Sequence, residues 1–129
     1  MTVMNTIVIS IASNTIDRRW QMEHGIDWLK KNLTGAKVSS VYNTSAVNGR
    51  DHDYLNAVMT GRTRKSLEEI EAFFKQYENV CGRTQANKVR GIVPIDIDII
   101  MWNDEVLRMR DFSQLYFQRG WQELKTVKL

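Results

Sequence analysis

The segment Ile95-Asp96-Ile97-Asp98-Ile99 sets two carboxylates two residues apart among isoleucines. In an extended chain, residues two apart share a face, so both aspartates project together while the isoleucines face a core. Carboxylates about 7 Å apart on a strand repel by roughly 2–3 kcal/mol at an effective dielectric near 20. A divalent cation reverses that sign, and an all-oxygen donor set suits Mg²⁺, which takes one or two carboxylates together with phosphate oxygens. The ordinary alternative is a strand with one solvated acidic face. The preceding stretch, residues 83–95, favours the metal: it carries Arg83, Lys88 and Arg90 and no acidic residue. Positive charge beside a carboxylate pair fits an anionic ligand bound with a metal.

Arg83 follows Gly82. It reads either as a phosphate clamp, since guanidinium binds phosphate oxygens bidentately, or as a cation at a helix C-terminus. Arg119, in Arg119-Gly120-Trp121, carries the same two readings. Asn56 is unusual between Leu55 and Ala57, because strands disfavour asparagine; its amide matches the donor and acceptor edge of a heterocycle. Tyr54, two residues away, is placed either to stack on that heterocycle or to fill the core. His24 and His52 have no partner at ligand spacing and read as surface residues, and Cys81 reads as a small core residue. The chain has no glycine-rich phosphate loop, G-x-S-x-G or HEXXH pattern.

Hydrophobic periodicity supplies the elements that position these groups. Residues 6–12 alternate as a central strand, with Ile7, Ile9 and Ile11 on one side. Asn14 and Thr15 are placed to cap a helix over residues 16–33, whose apolar stripe is Met22, Ile26, Leu29 and Leu33. Residues 38–44 read as a second strand, 45–53 as a polar loop with a turn at Asn48-Gly49, and 54–62 as a third strand. Ser66 and Glu69 form a capping box ahead of the stripe Leu67, Ile70, Phe74, Tyr77 and Cys81, closed by Gly82. A polar loop over 84–93 and a strand over 94–102 follow, with a short C-terminal helix. The order strand, helix, strand, strand, helix, strand predicts an α+β, ferredoxin-like βαββαβ fold: an antiparallel sheet with helices on one face.

At 129 residues and 15.1 kDa the chain reads as a single domain over 1–129, able to bury a core without disulfide or metal. The charged fraction of 26% and hydrophobic fraction of 43% argue against disorder and coiled coil. A net charge of +3 is too small to announce a nucleic-acid binder. No apolar run reaches membrane-spanning length, no secretion signal is evident, and the lone cysteine suits a reducing compartment, so a cytoplasmic location is expected.

Taken in order, these pieces resemble the hydroxymethyldihydropterin pyrophosphokinase family. The matching residues are Ser13-Asn14, Tyr42-x-Thr44, Asp53-Tyr54-Leu55-Asn56-Ala57-Val58, Glu78-x-x-x-Gly82-Arg83, the Asp96-x-Asp98 strand and Arg119-Gly120-Trp121. The resemblance covers almost the whole chain. It implies transfer of pyrophosphate from ATP to a reduced hydroxymethylpterin in folate biosynthesis, by a Mg²⁺-dependent monomer or weak dimer that binds no membrane and no nucleic acid. It implies further that Asp96 and Asp98 hold two Mg²⁺ ions on the ATP phosphates. Arg83 and Arg119 would act on the transferred group and the nucleotide, with Lys88 and Arg90 adding nucleotide contacts. Thr44, Tyr54, Asn56 and Trp121 would line the pterin pocket, Trp121 stacking opposite Tyr54. The chain departs from the family pattern at Ala12 (glycine in the family), at Arg90 (a tryptophan-containing stretch in the family), at Val93 (a second arginine shortly before the first aspartate), and in lacking a histidine before Arg119. It also ends soon after Trp121. A pterin- or nucleotide-binding paralogue without efficient transfer, or an RNA-binding module, is the alternative on the same fold.

Overall fold

The alternating isoleucines near the N-terminus lie at the middle of the sheet. In the computed structural model, which describes residues 3–45 and 53–126, β1 (Asn5–Ser13) pairs antiparallel on both sides, with β4 (Tyr54–Thr63) and β5 (Asp96–Trp102). Outside β4 lie β2 (Thr34–Val38) and β3 (Tyr42–Thr44), both paired with it, and β6 (Glu105–Val106) flanks β5. The strand expected over 38–44 is therefore two. Ser39 marks the break: its N–H donates to Val58 O at 2.8 Å, and its hydroxyl accepts Val58 N–H at 2.9 Å in place of a strand carbonyl. The turn expected at Asn48-Gly49 lies outside the described residues.

One face is covered by α1 (Arg18–Asn32) and α2 (Leu67–Val80). Ile7, Ile9, Ile11, Ala57, Met59, Ile97 and Ile99 bury there against Met22, Ile26, Leu29, Ile70 and Phe74. Each fully buried side chain of this kind is worth about 1.5–3 kcal/mol. The expected capping box is formed: Ser66 Oγ accepts Glu69 N–H at 3.2 Å and Glu69 Oε1 accepts Ser66 N–H at 2.9 Å. The expected capping of α1 is not. Asp17 is its N-cap and makes no side-chain cap bond, while Asn14 works elsewhere.

The opposite face carries α5 (Leu115–Thr126), much longer than the short helix expected, with Phe117 on Val8, Val58 and Ile100. Two local devices make that packing possible. A bulge between the pairs Ile9↔Ile99 and Val8↔Met101 leaves Ile100 unpaired and turns it toward α5. Gly120 meets the sheet directly, and a Cβ there would lie 2.7 Å from Val58 Cγ2 and 2.8 Å from Tyr42 Oη. Between β5 and β6, Asn103 and Asp104 both have positive φ (48° and 70°), the requirement of a tight two-residue hairpin turn. That turn carries the chain back along β5 toward Arg108 and α4 (Met109–Phe112).

Candidate active site

Because Ile97 and Ile99 face α1 and α2, Asp96 and Asp98 project together from the other face, as their spacing predicts. Pairing then places them. Asp96 stands opposite Ala12, and Ala12 stands opposite Asn56; Asp98 stands opposite Ser10, and Ser10 opposite Val58. A single cross-strand row, Tyr42–Asn56–Ala12–Asp96, thus crosses the sheet on one face. At a strand spacing near 4.8 Å, Asn56 and Asp96 sit about 10 Å apart with one methyl between them. Thr44 and Tyr54 form the adjacent pair, and Asn56 Nδ2 donates to Thr44 Oγ1 at 2.6 Å. Three of the four residues expected to read a heterocycle are together.

The carboxylates open along the outer edge of β5 onto a cavity of about 350 Å³, lined also by Lys75, Glu78, Arg83 and Arg108. Gly82, with φ of +102°, ends α2 in a turn that swings Arg83 back. Arg83 Nη1 donates to Asp96 Oδ1 at 2.8 Å and to Ile95 O at 3.3 Å, and stands 3.8 Å from Glu78 Oε2. Glu78 is a member the residue-by-residue reading gave no role: its Oε2 accepts the Ile97 N–H at 2.7 Å, satisfying an edge donor between the two aspartates. Burial pushes the Glu78 carboxyl up, against that hydrogen bond. Arg108 is a second residue the sequence reading missed. Its Nη1 lies 3.7 Å from Asp98 Oδ1, and its Nε donates to Asp111 Oδ2 at 2.7 Å. Nothing in its sequence neighbourhood marks Arg108; only the hairpin turn beyond Trp102 brings it here.

Burial, and then the charge of Asp96, raises the Asp98 carboxyl to about 7, with Arg108 opposing. A pair so disfavoured as two anions is one that a cation would relieve. Among the described residues, no three His, Cys, Asp or Glu side chains come together to hold a metal ion. Asp96 and Asp98 are the carboxylates that could hold a divalent cation, and Mg²⁺ commonly takes one or two carboxylates together with phosphate oxygens.

The loop expected over 84–93 contains α3 (Gln85–Val89), capped by Thr84, whose hydroxyl accepts Asn87 N–H at 3.2 Å. Asn14 clamps its far end to β1: Nδ2 donates to Gly91 O at 2.7 Å, and Oδ1 accepts Val93 N–H at 2.5 Å. Lys88 and Arg83 share a smaller hollow of about 240 Å³ beside the main cavity. Arg90 caps the end of α3 and is exposed, outside both hollows.

Two expected members lie elsewhere. Arg119 stacks on the Tyr42 ring, 4.8 Å from its centroid, at the β3 edge rather than at the carboxylates. Trp121 is one helical turn beyond Phe117, with ring centroids 6.1 Å apart, and packs in the cluster around Val8. Val8 is four residues from Ala12 on β1, about 13 Å along the strand, so Trp121 does not stack opposite Tyr54. The cause is the face of α5: Phe117 and Trp121, at i and i+4, turn together onto the apolar end of the sheet.

Comparison with known proteins identifies the family. The family model of 7,8-dihydro-6-hydroxymethylpterin-pyrophosphokinase matches residues 8–125. A 2-amino-4-hydroxy-6-hydroxymethyldihydropteridine pyrophosphokinase of Aquifex aeolicus is 32% identical over 83% of this chain and 67% of that protein. A folate synthesis bifunctional protein of Chlamydia trachomatis is 30% identical over 81% of this chain, a match that spans 25% of the larger protein. The carboxylate strand, Arg83 after its glycine, and the Thr44–Tyr54–Asn56 group all fall inside the matched region. The chain belongs to the 7,8-dihydro-6-hydroxymethylpterin-pyrophosphokinase family.

Proposed function

We propose that this domain transfers a pyrophosphoryl group from ATP to the hydroxymethyl group of a reduced pterin, in folate synthesis, and that Asp96, Asp98 and Arg83 are its catalytic centre. Family membership supports the reaction class. The row Asn56–Ala12–Asp96 carries the assignment of places, because one face then holds a heterocycle-reading amide and a phosphate-handling carboxylate about 10 Å apart.

The pterin hydroxyl oxygen bonds to the β-phosphorus of ATP, the bond from that phosphorus to the α–β bridging oxygen breaks, AMP leaves, and the hydroxyl proton is released. Such a step asks the protein mainly for positioning and charge neutralisation. Asp96 and Asp98 would hold Mg²⁺, two ions on the family resemblance, which supplies charge neutralisation on the ATP phosphates. Arg83 exchanges its bond to Asp96 for a phosphate oxygen when nucleotide arrives. Arg108 adds a second guanidinium on the Asp98 side, and Lys88 extends the cationic rim. Asn56, oriented by its bond to Thr44, presents its amide to the pterin, with Tyr54 on the same face. Arg119, Trp121 and Arg90 have no part in this arrangement as folded.

An NMR titration tests the placement. Mn²⁺ with a non-hydrolysable ATP analogue should broaden the amides of residues 96–98 first, and a subsequent pterin should shift Asn56 and Thr44. Broadening spread over surface carboxylates, with Asn56 unmoved by pterin, would refute it.

A further inference from the structure

Two groups of arginines stand apart among the described residues. Arg83 and Arg108 are paired with Glu78, Asp96, Asp98 and Asp111. Arg18, Arg19 and Arg119 instead converge on a separate open cavity of about 560 Å³, at the outer edge of β3, with Tyr42, Asn43 and Leu55. Among the described residues, no acidic side chain lines it. The carboxylates on neighbouring residues are engaged by other groups: Asp17 accepts Thr15 Oγ1 at 2.7 Å, Asp53 accepts Asn43 Nδ2 at 3.2 Å, and Glu123 accepts Ser40 N and Oγ at 2.7 and 2.8 Å.

Three features make this more than a solvated basic patch. Arg18 and Arg19 occupy the first turn of α1, which has no acidic residue, so both add positive charge to the positive end of the helix dipole. Folding alone disfavours that placement, and a bound anion would favour it. Arg18 Nη1 donates to Thr15 O at 3.3 Å, yet its Nε is buried without a partner among the described residues. An orphaned buried guanidinium donor is rare, and an acceptor reaching the cavity would satisfy it. Arg119 is held over a buried Tyr42 ring, its Cζ 4.8 Å from the ring centroid. Tyr42 Oη accepts Gly120 N–H at 3.1 Å and donates to Tyr116 O, which ties the ring to α5.

We propose that this cavity is a second oxyanion site, separate from the carboxylate pair, which takes a phosphate or pyrophosphate group through Arg18, Arg19 and Arg119. Its ligand chemistry is a multiply charged oxyanion with several acceptor oxygens, matched to three guanidinium groups. The site works without Mg²⁺, because the protein itself supplies the positive charge. Its ligand is either a free inorganic anion or the phosphoryl group of a nucleotide.

The test uses the protein in Mg²⁺-free buffer with inorganic pyrophosphate, followed by NMR and calorimetry, and with AMP as a separate arm. Pyrophosphate should shift the amides of Arg18, Arg19 and Asn43 and raise the melting temperature. The double variant R18Q/R19Q should bind pyrophosphate at least tenfold more weakly, while its ligand-free melting temperature stays level or rises as two cations leave the helix N-terminus. Its Mg-ATP turnover should stay within twofold of wild type. AMP shifting the same amides, with loss of that shift in the variant, assigns the site to nucleotide phosphate; pyrophosphate alone doing so assigns it to the inorganic anion. Pyrophosphate shifts confined to residues near Arg83 and Asp96, or equal binding by R18Q/R19Q and wild type, would overturn the proposal. The single variant R19Q, at an exposed side chain, repeats the measurement if the double variant folds poorly. The binding outcomes that support or overturn the proposal do not depend on pyrophosphokinase turnover.

Discussion

Asn56 and Asp96 stand in one cross-strand row, each directly paired with Ala12 on the strand between them. The Ala12 methyl is therefore the floor between the residue that reads the heterocycle and the residue that handles phosphate. Substituting Ala12→Val raises that floor where two substrates must meet. A misplacement of about 1 Å in such a site costs about 10²-fold in rate. The variant should lose roughly that much turnover and keep its fold, since the position faces the cleft rather than the main core. Ala12→Gly should retain turnover. Steady-state kinetics of both variants, with circular dichroism as the fold control, decides the point; Ala12→Val turning over like wild type would show the row is not the cleft.

Asp98→Asn separates catalysis from stability. Removing one charge from the proposed Mg-ATP site should cost on the order of 10²–10³ in rate. In metal-free protein the effect on stability runs the other way. The Asp98 carboxyl is raised to about 7, mainly by burial, so the folded state holds its proton more tightly than the unfolded chain. Wild-type stability therefore falls as pH rises from about 4, the unfolded value, through 7. Asp98→Asn should lack that fall and melt higher than wild type at pH 8, while the two converge at pH 4. Melting curves across this range without metal check it, and a variant that melts lower at pH 8 would contradict it.

Gly120→Ala tests how α5 reaches the sheet. A Cβ at 2.7 Å from Val58 Cγ2, 2.8 Å from Tyr42 Oη and 3.0 Å from Ser39 Oγ forces the helix off its seat. Overpacking of this kind costs about 1–3 kcal/mol. Chemical denaturation should show a midpoint loss of that size with an unchanged m-value.

Asn14→Ala removes the two side-chain hydrogen bonds that tie Gly91 and Val93 to the end of β1. Leaving those backbone groups without partners costs about 1–3 kcal/mol each if they stay buried. Hydrogen exchange in residues 84–93 should accelerate strongly while β1 and β4 stay protected. Uniform acceleration across the sheet would mean that Asn14 supports the core rather than the loop.

Much of the architecture was legible because it rests on local periodicity. The isoleucine alternation in β1, the stripe and capping box of α2, and the shared face of Asp96 and Asp98 all follow from spacing alone. What was missed depends on contacts distant in sequence. Ser39 breaks the 38–44 strand only because Val58 lies across from it. Asn14 has the composition of a helix cap, yet the partners that claim it are 77 and 79 residues away. Arg108 reaches Asp98 only through the Asn103-Asp104 turn, whose two positive-φ residues are seen in the structure and not in the spacing of the sequence. Trp121 matched a motif by position, but the face of α5 is set by Phe117 against Val8, Val58 and Ile100.

The most direct measurement of the central claim is product formation. Purified protein is incubated with Mg-ATP and 6-hydroxymethyl-7,8-dihydropterin, and AMP and the pterin diphosphate are quantified by chromatography, alongside Asp96→Asn and Asp98→Asn. The account predicts AMP and pterin diphosphate in equal amounts from wild type, and on the order of 10²–10³ less from either variant. No AMP release by wild type at saturating substrates, or equal turnover by wild type and both variants, would contradict it.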